Sequence, residues 1–188
     1  TGKLKMTAAV LDLSFDGAPM IEIAVTDSML QGLDVDKLGI YTYNESTKQW
    51  EYLNTRYDAQ RKVLIAKAAH SGIYALMEYS RVFGDLASHW AKADIEKMAA
   101  KYITDGVGNN NFGPNSIITR AEFATWIVRA LGLSGSGKTH FADVESKAWY
   151  AEAVALAADN GIISAEVGNK FRPTDKLTRE EMAVMSAN

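Results

Sequence analysis

The chain repeats itself. The stretch "FGDLASHWAKADIEKMAAKYITDGVGNNNFGPNSIITRAEF", beginning at Phe83, realigns with "FADVESKAWYAEAVALAADNGIISAEVGNKFRPTDKLTREEM", beginning at Phe141. Phe83 and Asp85 recur 58 residues later as Phe141 and Asp143. Trp90, Ile103, Phe112, Pro114, Thr119, Arg120 and Glu122 recur 59 residues later as Trp149, Ile162, Phe171, Pro173, Thr178, Arg179 and Glu181. A period of this length marks one supersecondary unit used twice, so residues 83–188 must build the same piece two times.

The unit is helical. Ala91, Ile95, Met98 and Tyr102 fall at i, i+4, i+7 and i+11, and Phe123, Trp126, Ile127, Ala130 and Leu131 at i, i+3, i+4, i+7 and i+8, which are the spacings of amphipathic helices. In "TRAE" and "TREE", Thr119 and Thr178 precede Glu122 and Glu181 by three residues, the pattern of a capping box. That leaves Arg120 and Arg179 at the first helical position, where a cation faces the positive end of the helix dipole. Two readings stand at this point. Either the guanidinium and the helix end together hold a carboxylate or phosphate ligand, or the Arg pairs with a neighbouring acid. Trp90 and Trp149 lie early in the first helix of each copy, a place that favours a core aromatic over a sugar platform. Asp85 and Asp143 read as turn or cap acceptors, and Asn110 and Asn169 suit left-handed turn positions.

The first half has another texture. "LKMTAAVLDLSF", "PMIEIAV", "LGIYTY", "WEYLN", "KVLIAKA" and "SGIYALME" are strand-like runs separated by "DGA", "NESTKQ" and "YDAQR". Their alternation predicts an antiparallel β-sandwich over residues 1–80, truncated at its N-terminus. Tyr41 and Tyr43 share one strand face, as do Trp50 and Tyr52. That strip is either the sandwich core, the favoured reading, or a carbohydrate-stacking surface.

Composition narrows the function. Twenty basic and 23 acidic side chains nearly cancel. Neither half carries the basic excess that nucleic acid or an anionic membrane selects, so no nucleic-acid partner is expected. Without cysteine there is no disulfide framework and no thiolate metal site. No apolar run approaches the roughly 20 residues of a membrane span. His70, His89 and His140 are scattered and show no metal-ligand spacing, and Glu180 and Glu181 point in different directions on a helix. Neither an enzyme nor a cofactor is expected. The start at Thr1 reads as that of a fragment.

One motif points the other way. "GLSGSGKT" fits the phosphate-binding loop pattern at Gly132, Gly137, Lys138 and Thr139. It follows an amphipathic helix rather than a buried strand, however, and runs straight into the second repeat. It reads as a Gly/Ser linker with no nucleotide bound.

The unit "F-x-D … W … I … F-x-P … [IL]-T-R-x-E" resembles the S-layer homology domain of bacterial surface proteins. The β-rich segment, especially "LGIYTYNESTKQWEYL" with "HSGIYALMEY", is similar to segments found just before such repeats. The resemblance implies an α+β chain: a β-sandwich-like domain over 1–80, a first repeat over 83–133, a linker over 134–140, and a second, truncated repeat over 141–188. It also implies non-covalent anchoring at the bacterial cell wall or S-layer through pyruvylated secondary cell wall polysaccharide. Arg120, Arg179, Trp90 and Trp149 would then contact the sugar. Arg120 is preferred over Arg179, because Glu180 stands beside Arg179 where repeat one has Ala121. A second departure is Ala165, where repeat one has Gly106. In the family three repeats pack about a pseudo-threefold axis. Two copies therefore predict unmatched apolar positions at Met182 and Met185, and with them a homodimer or a frayed end. The alternative functions are a carbohydrate-binding module in the β domain and an accessory fragment of a surface polysaccharide hydrolase.

Overall fold

Period-two alternation organises the first half of the chain. In the computed structural model, which describes residues 2–188, the strands are β1 (Lys3–Leu13), β2 (Met20–Ala24), β3 (Leu38–Asn44), β4 (Gln49–Tyr52), β5 (Arg56–Asp58), β6 (Val63–Lys67) and β7 (Gly72–Ser80). They form two antiparallel sheets, ordered β1-β7-β3-β4 and β2-β6-β5. Leu38, Ile40, Tyr74 and Leu76 from the first sheet meet Ile21, Leu64 and Ala66 from the second in one apolar cluster, the core of a sandwich. Strand β5 falls partly within a segment read as a turn. Tyr57 pairs with Leu64, and the turn begins only at Asp58, whose carboxylate accepts from the Gln60 and Arg61 amides at 3.0 and 3.1 Å.

The aromatic strip lies elsewhere than the sandwich core. Because Leu38 and Ile40 face the second sheet, alternation turns Tyr41 to the opposite face. There Tyr41 stands opposite Tyr52, and Tyr43 opposite Trp50. Tyr41, Ala75 and Met77 are buried on this outer face beside Trp50, Tyr52 and Tyr79. Tyr102 closes it by stacking on Tyr79 at 4.8 Å with rings 15° apart, and it lies 5.2 Å from Tyr52. Tyr41 and Tyr52 are therefore packed between protein layers, and burial pushes both phenols up.

Helix α1 (Lys92–Ala100) belongs to the same compact unit, which ends at Pro114. Its apolar side joins Ile95 and Ala99 to Phe83 and Leu86. Its polar side is tied to the 3-10 turn before β3. Lys97 pairs with Asp36 at 2.5 Å and Glu96 with Lys37 at 3.3 Å, and Lys101 Nζ donates to the Leu38 carbonyl at 2.6 Å. Burial lowers the Lys101 pKa, so this ammonium is held by the carbonyl rather than by water.

Helices α2 (Arg120–Leu131), α3 (Ala151–Asp159) and α4 (Arg179–Ala187) lie in the second unit, Asn115–Asn188. Its core gathers Ala124 and Val128 of α2, Val154 and Ala157 of α3, and Met185 of α4 around Phe141, Ile162 and Phe171. Met185, expected to lack a neighbour, is buried there, while Met182 and Val184 on the same helix are exposed.

Candidate functional site

The T-R-x-E motifs fold as capping boxes. Thr119 accepts from the Glu122 amide while Glu122 Oε2 accepts from the Thr119 amide at 2.7 Å. Thr178 and Glu181 repeat the arrangement at 2.8 Å. Asp85 and Asp143 act at longer range than a cap. Asp85 accepts from the Phe112 and Gly113 amides at 2.9 and 2.7 Å, and Asp143 from Phe171 and Arg172 at 2.9 and 2.8 Å. Each carboxylate thus clamps the Phe-x-Pro turn of its own repeat. The amides hold both pKa values down: at Asp85 the Phe112 bond dominates, and at Asp143 the bonds outweigh the upward push of burial.

Arg120, for which the sequence left an anionic ligand or a neighbouring acid as partner, is buried. It is 4% exposed. Its Nε donates to the Phe171 carbonyl at 2.8 Å, one terminal nitrogen bonds Glu181 Oε1, and the other lies 3.4 Å from Glu166. The guanidinium carbon sits 4.9 Å over the Phe171 ring. The first amides of α2 are taken as well, Arg120 N–H by the Asp175 carbonyl and Ala121 N–H by that of Pro173, both at 3.0 Å. The Phe-x-Pro turn of repeat two thus fills the place where an anion was expected, so of the two readings the neighbouring acid describes Arg120. Arg179, ranked second, is exposed and forms no ion pair or side-chain hydrogen bond among the described residues.

Three residues in this network, Arg172, Glu166 and Asp175, escaped the sequence reading. Arg172 bonds Glu166, Asp175 and Glu181 at 2.6, 3.0 and 3.0 Å. Its φ is 57°, the left-handed region, where repeat one has Gly113 at 76°. An Arg standing where the other copy has Gly was the available signal. A depression of about 210 Å³ beside the network is lined by Arg120, Ile162, Glu166, Glu180, Glu181 and Val184 among others. Three carboxylates around one engaged guanidinium disfavour an anion there.

Trp90 and Trp149, read as core, lie at the surface instead, 88% and 66% exposed. Each lies two residues before the start of its helix, Trp90 before α1 and Trp149 before α3. Each touches one adjacent ring, His89 at 5.7 Å and Tyr150 at 5.3 Å.

The phosphate-loop look-alike has its own explanation. Gly132 ends α2 in the left-handed conformation, φ 66°. A Cβ on Gly137 would stand 2.7 Å from the Ala155 backbone. The amides of Lys138 and Thr139 donate to the Asp159 carboxylate at 2.6 and 3.0 Å, and the Thr139 hydroxyl bonds it too. These bonds hold the Asp159 pKa down, the hydroxyl first. A carboxylate of the chain itself sits where a phosphate would have to bind.

Comparison with known proteins agrees with this architecture. Residues 82–124 and 140–183 match the model of the S-layer homology domain. The amylopullulanase of Thermoanaerobacterium thermosulfurigenes is 37% identical over 165 residues, 87% of this chain and 9% of that protein. An alignment of that extent takes in most of the β-rich half as well as the repeats. The surface-layer 125 kDa protein of Lysinibacillus sphaericus is 38% identical over 96 residues, 51% of this chain and 8% of that protein. Endo-1,4-beta-xylanase A of Thermoanaerobacterium saccharolyticum is 41% identical over 101 residues, 53% of this chain and 9% of that protein. The chain thus spans about a tenth of the length of these relatives. S-layer homology domains are anchoring modules that attach surface proteins to the cell wall. Through its repeats at residues 82–124 and 140–183, the chain belongs to the S-layer homology family.

Proposed function

We propose that the repeats hold the polypeptide that carries them non-covalently on the wall by binding pyruvylated secondary cell wall polysaccharide. Trp90 and Trp149 are the stacking platforms, and Arg179 is the cation for the pyruvyl carboxylate. The observation that carries this reading is the exposure of both tryptophans at the same place in each copy. An indole left in water at two equivalent positions forgoes a large apolar burial, which the apolar face of a sugar ring restores. Arg179 adds an unengaged guanidinium at a helix N-terminus, the donor set a carboxylate takes. Arg120, held by repeat two, acts by positioning α2 rather than by touching sugar.

Co-sedimentation with purified walls, intact or stripped of pyruvyl groups, tests this. The chain pellets with intact walls and much less with stripped ones. Trp149→Ala weakens binding roughly tenfold, the loss of one stacked ring. Equal binding to both wall preparations removes the pyruvyl group from the reading. The exposed Met182 and Val184 on α4 support self-association through that helix. Sedimentation equilibrium checks it, and Val184→Lys shifts the protein to monomer.

A further inference from the structure

A cavity of about 300 Å³ opens between the segment ending at His140 and the start of α3. Its floor is apolar, built from Phe141, Val144 and Val154. Its rim carries Ser136, His140, Ser146 and Glu152. This volume, open to solvent on one side, reaches the lower end of the range for small-ligand sites.

The loop over the cavity is fixed in place. Gly137 lies against Ala155, and Asp159 holds the Lys138 and Thr139 amides at 2.6 and 3.0 Å. Asn169 Nδ2 holds the His140 carbonyl at 3.0 Å. A loop tied at these points cannot collapse into the space, so the opening persists without a ligand and little ordering is left for binding to impose. The motif that resembled a phosphate loop is thus the wall of a pocket of different chemistry.

The lining defines that chemistry. It contains no Lys or Arg and one carboxylate, so it repels an anion. The hydroxyls of Ser136 and Ser146, the His140 imidazole and the Glu152 carboxylate form no hydrogen bond among the described residues. Donors and acceptors around an apolar floor match a pyranose, whose ring has apolar faces and a hydroxylated edge.

We infer that this cavity is a saccharide subsite that takes one neutral pyranose ring, separate from the tryptophans and from Arg179. The inference rests on the reading that the repeats bind wall polysaccharide. It gives that polymer a second point of contact, at a ring that carries no charge.

Amide-resolved NMR titration of the full chain with N-acetylglucosamine, glucose and glucuronate tests it directly. The neutral sugars produce saturable shifts at Gly137, Thr139, His140 and Glu152. Glucuronate binds at least about tenfold more weakly, and Glu152→Gln narrows that gap. Ala151→Trp, which fills the cavity, abolishes the shifts. If its melting temperature shows that it fails to fold, Ser146→Trp on the exposed rim replaces it. Neutral sugars that leave these amides unmoved, or shifts that survive the filled cavity, overturn the inference. Wall binding with a silent titration sinks this subsite alone, whereas a responsive titration without wall binding sinks only the polysaccharide reading.

Discussion

Arg120 has its guanidinium in the protein interior because repeat two offers it a carbonyl, a carboxylate and an aromatic face at once. Removing it strands the Phe171 carbonyl and leaves Glu181 to Arg172 alone. Arg120→Ala should cost about 3 kcal/mol, the low end for breaking a buried pair, because Arg172 still neutralises Glu181. Urea denaturation checks this, and Arg120→Lys should recover little, since an ammonium cannot reproduce the fork. Arg172 presents the opposite balance. Its ion pairs hold a backbone conformation in which a side chain is strained. Arg172→Ala should therefore be less stable than Arg172→Gly by about 1 kcal/mol, since both lose the ion pairs and only Gly accepts the left-handed φ freely.

The elements with local signals were the legible ones. Both capping boxes, the amphipathic helices and the alternating strands follow from residues a few positions apart, and the structure places them as the spacing requires. What depended on distant partners was not legible. The burial of Arg120 is set by Phe171, and the outward placement of the Tyr41 strip by Tyr102. The exposure of Trp90 and Trp149 likewise has no counterpart in their local spacing. The Phe-x-Pro turns belong to this second class, since each is held by a carboxylate far back in its repeat. Asp85, Asp143 and Asp159 all have folded pKa values below their unfolded values of about 4. Their contribution is complete above that pH and disappears as pH falls through the lower folded values. Melting temperature should fall as pH drops below about 4 and through the lower folded values. Asp143→Asn should lower it at pH 7 and flatten the acid limb.

At the scale of the whole molecule, the repeat seen in the sequence and the unit seen in the structure do not coincide. Helix α1 is tied to the β-sandwich through Lys97, Lys101 and Glu96. Deleting residues 1–80 should therefore strip hydrogen-exchange protection from α1 while α3 keeps its own, measured amide by amide. A cell-surface anchor is also a mechanical part. In the β domain, the two strands that would carry a load along the chain are neighbours: Lys3 stands opposite Ser80, and Leu13 opposite Gly72. Tension across residues 3 and 80 therefore pulls the β1–β7 ladder apart from one end, one hydrogen-bonded pair after another, rather than shearing all of them together. Strand β1 is at the sheet edge, so its departure leaves the β7–β3 pairing intact. Under load it should peel away at low force and lengthen the tether before the repeats feel the full pull, giving the anchor a built-in slack.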